Sequence, residues 1–196
     1  MAESPDAQQH AARTRLLAVG MLLVAINLRS ALASVGPLVE PIRTATGMSA
    51  AAFGSLTTLP LIAFGIVSVF APRVTRRLGL GGALVLALAL IAVGTAARPA
   101  AGTALLFLGT AAIGVGVALG NVLLPALVKR DFSGRSGGMT SLYSSVMGIG
   151  ATLAAGITVP LAGMLGWRGA MAIWAVPAIA ALAFWIPRAK RRPAPA

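Results

Sequence analysis

The run from Leu16 to Val39 reads L-L-A-V-G-M-L-L-V-A-I-N-L-R-S-A-L-A-S-V-G-P-L-V. It exceeds the about 20 apolar residues that cross a bilayer. Near its middle stand Asn27, Arg29 and Ser30. A charge at that depth costs about 2.5–3.5 kcal/mol on insertion scales, so such residues face a cavity or a partner. The chain holds four acids, Glu3, Asp6, Glu40 and Asp131. Glu3 and Asp6 lie in the N-terminal tail, Asp131 in a basic loop, and Glu40 about 15 Å along a helix from Arg29. No carboxylate of the chain is in reach, so Arg29 is expected to await an anion.

Spacing refines this. Asn27, Ser30 and Ser34 follow i, i+3, i+7 and share one helix face. Arg29 lies two residues from Asn27, about 200° around a helix of 3.6 residues per turn. Either the helix is irregular near Gly36-Pro37, or Arg29 reaches around, or only one of the two lines a site. If the span ends at Gly36-Pro37, Arg29 can also snorkel to the membrane surface.

The rest of the chain repeats the apolar theme. Of 196 residues, 58% are apolar and 10% charged, a balance foreign to soluble domains. The absence of cysteine excludes disulfides and thiolate metal sites. The net charge of +12 comes from short clusters between apolar runs. A continuous basic face and base-stacking aromatics are both missing, so nucleic acid is not an expected partner.

Residues 1–14 read as a disordered tail. Apolar spans follow at 16–39, 50–71, 81–97, 103–128, 138–163 and 167–186, and a basic tail at 188–196. Helix is the state expected of all six, since strands in lipid must close into barrels and alternate in polarity. The fold class is therefore all-α: a polytopic membrane bundle with six transmembrane helices in the lipid bilayer. The basic start and the triplet Ala31-Leu32-Ala33 also fit a cleaved signal peptide. The apolar run continues to Val39 with five more spans after it, so the segment is expected to be retained.

Charge placement gives an orientation. With the N-terminus in the cytoplasm, the inner side receives twelve Lys and Arg residues. The outer side receives Arg43, Arg98 and Arg168, and Arg29 lies within a span. That split obeys the positive-inside rule. Both termini are expected in the cytoplasm, and the protein in the cell inner membrane.

Hydroxyls and amides gather in spans one, two, four and five, as Asn27, Ser34, Thr57, Thr58, Asn121, Tyr143, Ser144 and their neighbours. These four read as a cavity wall, and spans three and six as lipid-facing supports. Isolated Ser and Thr are more often glue between helices, while Asn27 and Asn121 divide evenly between glue and site. Gly116-x-x-x-Gly120 is a small-residue packing motif. No catalytic constellation, metal-ligand cluster or cofactor motif is read, and His10 lies alone in the tail.

Several segments carry a resemblance: Asn27-Leu28-Arg29, Ser34-Val35-Gly36-Pro37-Leu38, Leu56-Thr57-Thr58-Leu59-Pro60, Gly120-Asn121-Val122-Leu123-Leu124-Pro125, Lys129-Arg130-Asp131-Phe132 and Gly166-Trp167-Arg168. Over residues 15–187 the chain resembles the cyanate and nitroimidazole transporters of the major facilitator superfamily. The resemblance implies half of that fold: two inverted three-helix repeats, about 15–98 and 102–187, forming the N-terminal half of a twelve-span carrier. It implies that the first and fourth helices line the cavity, and that Arg77 and Gly79 belong to an inner gating loop. Arg76 stands where that loop usually has Asp, Thr110 near the usual fourth-helix Arg, and Gly156 and Pro160 break the antiporter pattern of the fifth helix.

The expected function is a secondary active or facilitative transporter for a small anionic or polar solute, working by alternating access. Arg29 would supply the charge, and Asn27, Asn121 and Tyr143 the hydrogen bonds. The expected partner is a C-terminal half or a second six-helix half. The rival is a non-transporting subunit or scaffold whose Arg29 pairs with another protein. An enzyme is not expected.

Overall fold

The computed structural model describes residues 5–100 and 102–189, and no strand occurs among them. The helices are α1 (Pro5–Ala33), α2 (Val39–Thr46), α3 (Ala50–Ala97), α4 (Gly102–Asp131), α5 (Ser136–Ala172) and α6 (Ala175–Ala189), with 3-10 turns at Gly36–Leu38 and Ser133–Arg135. Helix satisfies every backbone group within its own segment, as hydrocarbon surroundings demand.

Four stretches are long and apolar enough to cross a membrane: Thr14–Thr46, Ala50–Ala97, Gly102–Asp131 and Ser133–Ala189. That is four continuous stretches where the sequence predicts six spans. Two of them exceed a single crossing. The 48 residues of α3 would extend about 72 Å at 1.5 Å per residue, against a hydrocarbon core of about 30 Å. Each of the two leaves helical geometry at one glycine, Gly79 (φ 71, ψ 167) in α3 and Gly166 (φ 68, ψ 170) in α5. That backbone region is essentially closed to residues with a Cβ. The same Leu-Gly-x-x-Gly pattern occurs at both breaks, as Leu78–Gly82 and Leu165–Gly169. In both, a Cβ on the last glycine would fall against the Cβ of the leucine, at 3.1 Å and 2.6 Å.

Three boundaries depart from the sequence expectations. Residues 5–14, expected to be disordered, form the start of α1. Pro5 suits a first helical position, and the Ala, Gln and Arg residues after it are good helix formers. The first span is not one helix to Val39. α1 ends at Ala33, and the chain turns through Gly36–Leu38 into α2, because Pro37 lacks the N–H that would continue the ladder. In the tail expected at 188–196, Arg188 and Ala189 belong to α6. The remainder of that tail lies outside the described residues.

α4 is the central packing element. A Cβ on Gly109 would lie 2.7 Å from the Gly94 carbonyl oxygen, and one on Gly116 would lie 2.6 Å from that of Ala87, both on α3. Gly114 sits against Pro60, on α3 ahead of its break, and Gly120 against Leu28 of α1. Gly116 and Gly120 are one turn apart and serve two different helices. The main core joins Met21, Val24 and Leu28 of α1, Leu84, Leu88 and Ile91 of α3, Val117 and Leu124 of α4, and Trp185 of α6. A second cluster around Leu38, Ile42, Phe53, Leu56, Leu106 and Met171 closes the opposite end.

Candidate functional site

The polar residues of α1 divide by face as their spacing requires. Asn27 and Ser30 are buried, and Arg29 between them is exposed. Arg29 sits just before the last turn of α1, because the helix ends at Ala33. Cations are favoured near a helix C-terminus by the dipole. Arg29 forms no ion pair among the described residues.

Asn27 is turned away from Arg29. Its Nδ2 donates to the carbonyl of Leu23 at 2.6 Å and to that of Pro177 at 3.0 Å. The second bond ties α1 to the start of α6. Asn121 is half-buried, and its Nδ2 donates to Val117 one turn back at 2.8 Å. Tyr143 packs into the main core. Leu28 meets Gly120, so Arg29 and Asn121 each stand one residue from that contact, at one level of the bundle. Ile26 meets Gly150 of α5 on the other side, two turns beyond Tyr143. The structure thus brings Arg29 and Asn121 to one level, while the Asn27 amide, at that same level, is turned to α6. Arg77 is exposed and Gly79 forms the break in α3.

The hydroxyls follow the same division. Ser55, Thr57, Thr58 and Ser68 are exposed, and each donates to the carbonyl three residues back. Thr140, Ser141, Ser144, Ser145 and Thr152 of α5 are exposed as well. Thr95, Thr110 and Thr158 are buried.

Sequence reasoning missed Arg98. It reads as the outer end of the third span, yet it is only 1% exposed. Its Nη1 donates to the Ala31 carbonyl at 3.3 Å, one of the carbonyls left open where α1 stops. Arg98 is therefore a charged cap on the broken first helix. Its Nε and Nη2, with Ser30 Oγ and Thr95 Oγ1, are buried without a hydrogen-bond partner among the described residues. The local cue was Gly94, one turn before Arg98, which admits α4 close enough to cover the side chain.

A multi-pass helical membrane bundle with glycine-mediated seams and an unpaired cation on an exposed face is the class these features define. Residues 17–196 match the Major Facilitator Superfamily, and the chain belongs to that family. It is 45% identical over 90% of its length to an uncharacterized transporter, YycB, of Bacillus subtilis. It is 44% identical over 88% of its length to the 2-nitroimidazole transporter of Escherichia coli. It is 32% identical over 84% of its length to the cyanate transport protein CynX of Escherichia coli. In each case it covers 44% of the relative, so the chain spans less than half the length of these transporters. These relatives carry transporter names, and the family is one of transporters rather than enzymes.

Proposed function

We propose that this chain is the N-terminal half of a secondary active or facilitative transporter for a small anionic or polar solute, with Arg29 as the charge in an alternating-access cavity. The observation that carries the reading is the exposure of Arg29 between buried neighbours. It is the face a second half would enclose. Asn121, beside the Gly120–Leu28 contact, is the candidate hydrogen-bonding partner of the solute at that level. In this reading Tyr143 supports the wall from the core, and Asn27 fixes α6 against α1.

The breaks at Gly79 and Gly166 support six crossings, with α3 supplying the second and third and α5 with α6 the fifth and sixth. Their shared pattern supports two three-helix repeats over about 15–98 and 102–187. The charge distribution supports an inner-membrane orientation with both termini cytoplasmic; in it Arg77 and Gly79 lie on the inner side, where the resemblance implies a gating loop. The partner is a C-terminal half or a second six-helix half.

The names of two relatives supply probes. Uptake of 2-nitroimidazole and of cyanate by cells expressing the full-length protein should fall at least about tenfold in Arg29→Ala, equivalent to about 1.4 kcal/mol, at equal membrane abundance. Arg29→Lys should fall between, because it keeps the charge and loses the planar fork. Uptake by Arg29→Ala equal to the parent overturns the cavity role. Exposure also suits the scaffold reading, which predicts that Arg29→Ala loses a co-purifying protein rather than uptake.

A further inference from the structure

A cavity of about 1050 Å³ opens at the end of the bundle where α1 enters and α6 leaves. Its walls are Leu16 and Leu17 of α1, Arg76 to Gly82 around the break in α3, Arg130 and Asp131 of α4, and Trp185, Pro187, Arg188 and Ala189 of α6. Four arginines, Arg76, Arg77, Arg130 and Arg188, therefore share one cavity with one acid.

That acid is already engaged. Asp131 accepts from Arg130 Nε at 2.7 Å and from Arg130 Nη2 at 2.9 Å. Arg188 is held in place: its guanidinium stacks 3.6 Å from the Phe184 ring centre and donates to the Phe184 carbonyl. Arg76 and Arg77 are exposed and form no ion pair among the described residues. The remaining lining is apolar, from Leu16, Leu17, Leu78, Leu80 and Trp185. An excess of cations beside an apolar wall, at the ends of membrane-crossing helices, is chemistry suited to an anionic amphiphile.

We infer that this cavity is a binding site for a phosphate-bearing anion, of the kind an anionic phospholipid headgroup presents at that membrane face. Arg76 and Arg77 supply free guanidinium forks, which match phosphate oxygens in pairs. Arg188 adds a third positive group from α6, and the leucines receive the first methylenes of the lipid. Basic pockets between transmembrane helices select anionic headgroups by this combination. Gly79, at the break in α3, borders the cavity without a side chain. The site lies at one end of the bundle, away from Arg29, and shares Arg77 and Gly79 with the proposed gating loop; lipid retention is read without uptake, so its failure is distinguishable from failure of the transport reading.

The test uses purified full-length protein in a neutral detergent and native mass spectrometry to count retained adducts. The probes are phosphatidylglycerol, phosphatidylcholine and inorganic phosphate. The expected result is one phosphatidylglycerol adduct favoured over phosphatidylcholine by at least about tenfold. The pair Arg76→Gln with Arg188→Gln should remove most of that preference, a loss of roughly tenfold to thirtyfold for two basic residues. The exposed pair Arg73→Gln with Arg135→Gln, outside the cavity, removes the same charge and should keep it. Saturable binding of inorganic phosphate with the same variant dependence, and no preference for the lipid, assigns the site to the free anion instead. Absence of both preferences overturns the proposal. So does a lipid preference that survives loss of Arg76 and Arg188, or that falls equally in both pairs. Circular dichroism of each pair establishes that the helices are intact.

Discussion

α3 is built on different terms before and after Gly79. Beyond the break, Ala83, Leu84, Ala87, Leu88, Ile91 and Ala92 are buried. Small residues there let the α4 backbone approach within reach of the Ala87 and Gly94 carbonyls. Before the break, Leu61 is 71% exposed, and Ile62, Ile66, Val69 and Phe70 are also exposed. The two segments are similarly apolar, so hydropathy alone does not distinguish them. Alanine and glycine make the seam, because tail-like surroundings offer no hydrophobic drive and close van der Waals contact must hold helices together. The bulky, hydroxyl-bearing segment forms the open side. Met164 of α5, at 81% exposure, belongs to the same open category. Lipid or a second half must cover these faces.

The largest expected effect sets the seam against the open side. Gly116→Leu places a side chain where the Ala87 carbonyl stands 2.6 Å from the Cβ position. Backbone cannot yield as a flexible side chain does, so the helices must part, at a cost of roughly 3 kcal/mol or more. Gly65→Leu, in the open segment with nothing within 4 Å of the Cβ position, should be neutral or gain up to about 1 kcal/mol of helix propensity. Thermal unfolding in detergent and membrane abundance compare the two. Equal stability of both variants would break the contrast.

The two arginines near the C-terminal end of α1 sharpen the comparison next. Arg98 belongs to the seam and Arg29 to the open side. The parent has no cysteine, so single cysteines report cleanly. Arg29→Cys should react with a hydrophilic maleimide at least about tenfold faster than Arg98→Cys, since modification requires a hydrated thiolate. Slow labelling at both positions would mean that Arg29 faces lipid and not an aqueous cavity. Fast labelling at Arg98 would show that the seam opens.

Much of this was legible in the sequence, and the failures at Arg98 and at the arginine cavity share a cause. The apolar runs located the helical segments, because crossing a bilayer depends on local length and composition. The 200° between Asn27 and Arg29 anticipated their opposite faces, because helical period is also local. Arg98 was not legible. Its burial depends on the Ala31 carbonyl, 67 residues away, and on the meeting of Gly94 with Gly109. Nor did the sequence show that one arginine cluster closes around a cavity. Arg76, Arg130 and Arg188 come from three helices and meet only after packing. The start of α1 at Pro5 has a different cause: the polarity of residues 5–14 predicts disorder, while their Ala, Gln and Arg content favours helix.

The smallest expected effect concerns how α6 is fastened to α1. Asn27 donates to Pro177, and Trp185 Nε1 donates to the Gly20 carbonyl at 3.0 Å. Each is a polar tie across an apolar interface. In membranes such ties average about 0.6 kcal/mol, with a maximum near 1.7. Asn27→Leu keeps the approximate volume and loses both its hydrogen bonds. It also removes Asn27 Oδ1, which is buried without a partner among the described residues, and so relieves an unpaired acceptor. The two changes oppose each other, so Asn27→Leu should destabilise by under about 1 kcal/mol. Trp185→Phe removes a fully matched donor and leaves the Gly20 carbonyl short of one partner, so it should cost slightly more. Chemical unfolding of the two variants in parallel checks the order. If Asn27→Leu instead retains stability and loses uptake, Asn27 acts in solute binding and its turn away from Arg29 is not maintained during transport.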